Sequence, residues 1–378
     1  MVLPLTVMAE LEPAMTVKAN TAVEMSRRSR YNPPMHATLI VPAPFDTVSG
    51  GYGYDRRIVS GLRDAGHAAD VTQLLGSYPI TDETALDSAC QAWDRIGPDT
   101  RPIIDGLALP AFAGLDDALG ARGATGLIHH PTSLETGLDD ATRAALFATE
   151  KRLFNRLTRL IVTSDTTAET LATEFAVPRD RLHVVVPGTD DAPRCLGSGG
   201  PTCQILSIGT LVSRKGHDLL LRALARLFDL EWNLTIVGSP LRDPVHAHGL
   251  QALADELNIA QRVTFAGEVV NGALEALWQK TDLFALATHY EGYGMAIAEA
   301  LKRGIPVAVT AGGAAGALVV PGAGVVCPLD DRDQLSKSLR RIIFSQPLRQ
   351  EMADAAWQAG QALPSWRDQA SLFARILT

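Results

Sequence analysis

The chain has 378 residues, 46% of them hydrophobic and 20% charged, a composition that excludes a disordered or fibrous chain at a length that suggests two domains. Lys and Arg number 34 against 42 Asp and Glu, a formal charge of -8, and this acidic balance argues against a broad nucleic-acid surface. No apolar run approaches the roughly 20 residues that cross a bilayer, and Cys90, Cys195, Cys203 and Cys327 form no C-x-x-C pair, so idle thiols in a reducing cytoplasm are expected.

Residues 1–35 read as a loose leader, with recurrent Met1, Met8, Met15, Met25 and Met35 and a basic cluster at Arg27, Arg28 and Arg30. Glu10, Glu12 and Lys18 interrupt the apolar segment that a secretory signal needs. From His36 onward, apolar runs at 38–41, 71–75, 103–107, 126–129, 160–163 and 182–186 predict strands, and helical patterns fall between them at 54–65, 83–93, 139–157 and 166–175. The Pro- and Gly-rich stretch from Pro187 to Pro201 ends this alternation, so a first domain is expected at 36–190 and a linker at 191–202. A second alternation follows at 203–360. Its strands are predicted at 203–208, 234–237, 263–265, 283–287, 306–309 and 324–326, and its helices at 218–228, 248–257, 273–279, 295–303, 333–343 and 349–360. Residues 361–378 remain as a terminal segment. Two repeated β/α series predict an α/β protein of two doubly wound, Rossmann-like domains with a ligand cleft between them.

Four motifs carry chemistry. Glu291-Gly292-Tyr293-Gly294-Met295-Ala296-Ile297-Ala298-Glu299 places two carboxylates around a strand-to-helix junction, where the glycines allow a tight turn and the free N–H groups of Met295 and Ala296 favour an anion. A helix with one acid before its first turn and one solvated Glu would give the same spacing. Gly209-Thr210-Leu211-Val212-Ser213-Arg214-Lys215-Gly216 follows the first strand of the second series, and its cations suit a phosphate. Ser49-Gly50-Gly51-Tyr52-Gly53 is a glycine-rich turn after the first strand of the chain; it does not match G-x-G-x-x-G, which disfavours a nicotinamide enzyme. His129-His130-Pro131 leaves the end of a strand, and side-chain alternation lets only one of the two rings face the cleft. Asp331-Arg332-Asp333 precedes an amphipathic helix and reads as capping acids rather than a metal site.

Glu291 to Glu299 resembles the E-x7-E motif of the retaining glycosyltransferase family 4, whose members have the GT-B fold. The order of the other motifs agrees over 36–378: Arg214-Lys215-Gly216 is similar to the end of that family's phosphate loop, Gly50-Gly51 to its N-terminal glycine-rich loop, and Ser365-Trp366 to the start of a last helix that crosses back to the first domain. The resemblance implies transfer of a sugar from a nucleoside diphosphate-sugar to a hydroxyl acceptor on a glycan, lipid or small molecule, with retained configuration and neither a metal nor a cofactor. It implies an acceptor domain at 36–190 and a donor domain at 203–360. His129 is the closer match to the family's histidine near the sugar, Lys215 and Arg214 would meet the diphosphate, Glu291 the sugar, Glu299 the ribose, and the loop around Val269 the base. Gly294, Met295 and Ala296 complete the donor site. Thr210 stands where the family usually has Arg, leaving Arg214 to substitute, and Gly312-Gly313-Ala314-Ala315-Gly316 lacks the family's I-P-E.

Two rival readings remain: a non-catalytic nucleotide-binding partner subunit, and a non-hydrolysing nucleotide-sugar epimerase, for which Asp105, Asp116 and Asp117 are poor acid/base candidates. The helix at 139–157 and the residues just after it carry Arg143, Lys151, Arg152, Arg156 and Arg159 beside Phe147, Leu153 and Phe154. That makes it a candidate for peripheral contact with an anionic membrane face, though a solvated helix is the plainer reading.

Overall fold

Two parallel six-stranded sheets organise the described residues, 34–378, of a computed structural model. The first comprises β1 (His36–Pro42), β2 (Ala68–Leu74), β3 (Thr100–Asp105), β4 (Thr125–Ile128), β5 (Arg159–Val162) and β6 (Leu182–Val184), in the order β2-β1-β3-β4-β5-β6. The second comprises β7 (Cys203–Ile208), β8 (Trp232–Val237), β9 (Val263–Gly267), β10 (Leu283–Leu286), β11 (Val307–Thr310) and β12 (Gly324–Cys327), in the order β12-β11-β10-β7-β8-β9. The central strands are unbroken apolar runs, such as Leu283-Phe284-Ala285-Leu286, because helices cover both faces of a parallel sheet. Each sheet reverses its winding beside its first strand, between β1 and β3 and between β7 and β10. Crevices that take ligands form outside the carboxyl ends of the strands at those points.

Helices α1 (Gly50–Asp64), α2 (Glu83–Arg95), α3 (Asp116–Ala121), α4 (Asp140–Phe154) and α5 (Asp165–Thr173) belong to the first sheet. To the second belong α6 (His217–Leu224), α7 (Pro244–Glu256), α8 (Asn271–Trp278), α9 (Met295–Lys302), α10 (Arg332–Phe344) and α11 (Gln346–Gln361). Helix α12 (Trp366–Leu377) returns to the first sheet, where Phe373 and Leu377 share a core with Tyr54, Ile58 and Leu62 of α1. The chain therefore passes between the halves twice. The two passages touch, the Thr189 amide donating to the Pro364 carbonyl at 2.9 Å.

Two expectations change, and the helix at 139–157 is placed in detail. The glycine-rich segment is the first turn of α1 and not a loop, because Ser49, in extended conformation, accepts the Tyr52 amide and caps the helix four residues before the predicted start. Met35, assigned to the leader, is buried and donates its amide to His67 Nδ1 at 3.3 Å; leader residues 1–33 lie outside the described residues. The apolar side of α4 also faces inward: Leu153 and Phe154 are fully buried and Phe147 packs on Phe175 with ring centroids 4.5 Å apart. Its cations are engaged locally, Arg152 with Asp116, Arg156 with Asp117, and Arg143 with the Ser133 and Glu135 carbonyls. No helix among the described residues is long and apolar enough to cross a membrane. Asp331 does cap α10, accepting the Gln334 amide.

Candidate active site

The second half builds one wall of a cleft of about 650 Å³ from the loops that leave β7 and β10. The chain after β7 makes one tight turn at Ser213–Lys215 and reaches Gly216 at φ 61°, where a Cβ would stand 1.9 Å from the Ala287 carbonyl oxygen. Only glycine allows this approach. The His289 amide and the Thr288 hydroxyl both donate to the Arg214 carbonyl, at 2.8 and 3.1 Å, so the two loops are fastened together. Lys215 Nζ then donates to Glu291 Oε1 at 2.6 Å, with both side chains largely buried. Burial pushes the Glu291 carboxyl up, but the charges of Lys215 and Arg214 outweigh it and hold the group below its ordinary value. The Gly312–Gly316 segment secures the backbone of Glu291, whose amide donates to Gly312 and whose carbonyl accepts from Ala314.

Helix α9 begins beyond Gly294, and the Ile297 and Ala298 amides both turn back to the Gly294 carbonyl. The amides of Met295 and Ala296 precede the intrahelical pattern and lie at the cleft. Glu299, further along α9, also lines it; burial raises its carboxyl to about 7, only partly relieved by Arg303, which pairs with Glu275 at 2.7 Å. Glu268 and Val269 close this side.

The first half supplies the opposite wall, with the N-terminus of α1 and the loop after β4. Met295 Sδ lies 3.8 Å from where a Cβ would stand on Gly50, so the N-termini of α1 and α9 converge from the two halves. At Gly292 a Cβ would stand 2.2 Å from the His129 carbonyl oxygen, a contact between the walls that admits no side chain. Both His129 and His130 line the cleft. The expectation that only one would do so fails because β4 ends at Ile128, and strand alternation does not extend past it.

His130 Nε2 lies 3.1 Å from Glu135 Oε2, and Arg214 Nε donates to Glu135 Oε1 at 2.8 Å across the cleft. Burial raises the Glu135 carboxyl, yet the His130 hydrogen bond and the Arg214 charge bring it down to about 2. Arg214 also donates to the Tyr290 carbonyl at 2.6 Å. It both lines the cleft and joins the two walls. Arg242, after β8, is a cleft cation that sequence reasoning missed.

A second missed feature lies beneath His129. Asp55 of α1 is fully buried and its Oδ1 is 2.9 Å from His129 Nε2; Asp105 Oδ2, at the end of β3, is 3.7 Å from the same nitrogen. Asp105, set aside in the sequence reading, faces the cleft, whereas Asp116 and Asp117 pair with arginines. The signal for Asp55 was its place on the core-facing stripe of α1, spaced with Tyr52, Ile58, Val59 and Leu62. Three potential metal-ligand atoms of Asp55, Asp105 and His129 lie within 4.8 Å of one another, but 2.9 Å is the length of an N–H···O hydrogen bond and fits a proton between ring and carboxylate.

The family model of glycosyl transferases group 1 matches residues 194–359, the stretch that carries the Lys215–Glu291 wall. Residues 194–359, less than half of the chain, are thus similar to the group 1 glycosyl transferases. The D-inositol 3-phosphate glycosyltransferase of Mycobacterium sp. (strain KMS) is 31% identical over 175 residues, 43% of this chain and 39% of that protein. The chain thus spans less than half the length of this curated relative. Sucrose-phosphate synthase from Thermosynechococcus elongatus superposes with a TM-score of 0.77 at 19% identity, over 90% of this chain and 98% of that one. Anabaena HepE in complex with UDP and glucose does so with a TM-score of 0.70 at 16% identity, over 90% and 99%. These likenesses establish the GT-B fold, and with the family match they bear out the resemblance to glycosyltransferase family 4 read from the motifs.

Proposed function

We propose that the chain moves a sugar from a nucleoside diphosphate-sugar to a hydroxyl acceptor, with retention of configuration and without a metal. The observation that carries this reading is the Lys215–Glu291 pair, set at the N-terminus of α9 and facing the N-terminus of α1 across the cleft. As the bond from the sugar to the diphosphate breaks, negative charge gathers on the departing oxygen. Lys215, the amides of Met295 and Ala296 and the dipoles of both helices meet that charge in a site with little water, an effect of several kcal/mol.

Glu291 orients Lys215 and accepts from sugar hydroxyls, Glu299 accepts from the ribose, and the loop at Glu268 and Val269 lies beside the base. The acceptor hydroxyl approaches from the first half, 36–190, while 203–360 holds the donor. The departing phosphate takes the acceptor's proton on the face it leaves, which gives retention without a protein nucleophile. Cations already in place serve the leaving group, so a divalent ion is not called for. The UDP and glucose held by HepE and the glycosyltransferase named among the relatives support this reading over epimerisation.

Thermal stabilisation and donor hydrolysis with UDP-, GDP- and ADP-sugars in chelator test it, with Lys215→Ala and Glu291→Ala alongside. One donor is expected to stabilise the wild type and to be turned over by it alone. Binding without turnover by any donor would favour a non-catalytic subunit, and loss of all turnover in chelator would end the metal-free reading.

A further inference from the structure

The transfer outlined above leaves Asp55 without a task, and its situation is costly. The side chain is fully buried, Oδ1 meets His129 Nε2 at 2.9 Å, and Oδ2 has no hydrogen-bond partner. A buried carboxylate with an orphaned oxygen needs a positive charge beside it. The ring is well placed to supply one. Its edge lies 3.3 Å from where a Cβ would stand on Gly51, Tyr54 meets it edge-on at 5.3 Å, and Asp105 adds a second carboxylate 3.7 Å from Nε2. Among the described residues that line the cleft, the first half contributes no Lys or Arg; Arg214, Lys215 and Arg242 all come from the second half.

We propose that Asp55 and Asp105 are positioning residues that grip His129 at Nε2 and keep it an imidazolium, so that the first half presents a positive charge of its own to the departing diphosphate. This rests on the transferase reading. Donation from Nε2–H to Asp55 fixes the ring's orientation and leaves Nδ1 for other partners; on the charged ring Nδ1 carries a proton and attracts an anion, whereas on the neutral ring it bears a lone pair that repels one.

The groups facing the ring agree. Burial draws the imidazole down, but the charge and hydrogen bond of Asp55, with the charge of Asp105, carry it above its ordinary value. Burial and the Asp55 charge push Asp105 itself up to about 7. From the second half, the segment that touches the His129 carbonyl at Gly292 carries Glu291, whose charge is matched by Lys215. Neighbouring His130 turns to Glu135.

The test is an NMR titration of the histidine rings in the full chain, with the His129 resonance assigned by His129→Gln, for wild type, Asp55→Asn and Asp105→Asn, beside the pH profile of donor hydrolysis. The wild-type ring is expected to titrate above the ordinary value of about 6.5, and Asp55→Asn to weaken its proton affinity by about tenfold or more. The alkaline limb of the hydrolysis profile should move to lower pH with it, while Lys215→Ala lowers the rate without moving that limb. A wild-type ring that titrates at or below 6.5, or one unmoved by either Asn variant, overturns the proposal. So does stoichiometric Zn²⁺ binding that is lost in Asp55→Asn, which would make the cluster a metal site. If Asp55→Asn does not fold, Asp105→Asn and the wild-type titration still decide. Absence of donor hydrolysis by the wild type would count against the transferase reading alone, because the ring titration is read without substrate.

Discussion

The two walls of the cleft are built alike and charged differently. Each rests on a parallel sheet that reverses its winding beside its first strand, and each aims a helix N-terminus, of α1 or of α9, at the other. The second wall adds Arg214, Lys215 and Arg242, whereas the first, among its described lining residues, adds histidines over buried acids. Topology thus decides where an anion can sit. The side chains decide what happens to it there, and the long cations of the second wall suit a diphosphate better than the short, environment-dependent charge of an imidazole.

Four substitutions sharpen this contrast. Lys215→Ala, which removes a second-wall cation, is expected to lower donor turnover by about 10²–10³-fold; a smaller loss in steady-state hydrolysis would mean that the helix termini carry the charge. Gly292→Ala forces the walls apart at the His129 carbonyl, so a loss of about 1–3 kcal/mol in stability and up to about 100-fold in turnover should appear in denaturant melts and rates. Unchanged values would show that the walls separate freely.

Glu299→Gln addresses a carboxyl raised to about 7. Nucleoside diphosphate affinity of the wild type should weaken as pH falls below 7, by up to about tenfold per pH step if the ionised form binds, and the Gln variant should give a flat, weaker profile by calorimetry. The stability sign runs the other way: between its ordinary value and about 7 the folded protein retains a proton that the unfolded chain releases, so stability declines as pH rises through that window, and the variant should lack this part of the decline.

Glu135→Gln should have the smallest effect. The ion pair with Arg214 is partly exposed, which limits its worth to about 0.5–1 kcal/mol, and the melting temperature should drop slightly while nucleotide affinity holds. With its carboxyl near 2, the contribution of Glu135 is whole above pH 4.5 and lost on acidification toward 2, so the difference between wild type and variant should close there.

Much of this architecture was legible because parallel strands buried on both faces announce themselves as apolar runs, and the described strands overlap the predicted ones in order. Helix starts were harder. Ser49 caps α1, but three glycines behind it disguise the first turn, and Asp243 with Pro244 opens α7 before the apolar period begins. At the site, residues contiguous in sequence were readable: Gly50, Gly51, His129, Lys215, Val269, Glu291, Gly294, Met295, Ala296 and Glu299 all line the cleft. Pairs from distant segments were not. Glu135 meets Arg214, and Asp55 meets His129, only after the halves and strands have assembled, and spacing along the chain carries no trace of such meetings.

The two passages between the halves, joined where the Thr189 amide meets the Pro364 carbonyl, also have a mechanical meaning. A single tether would let the halves twist and slide in any direction. Two passages fastened side by side restrict the relative motion of the halves more than a single one would. The register of the two helix termini is thereby held in part by Thr189 and Pro364, residues outside the lining of the cleft.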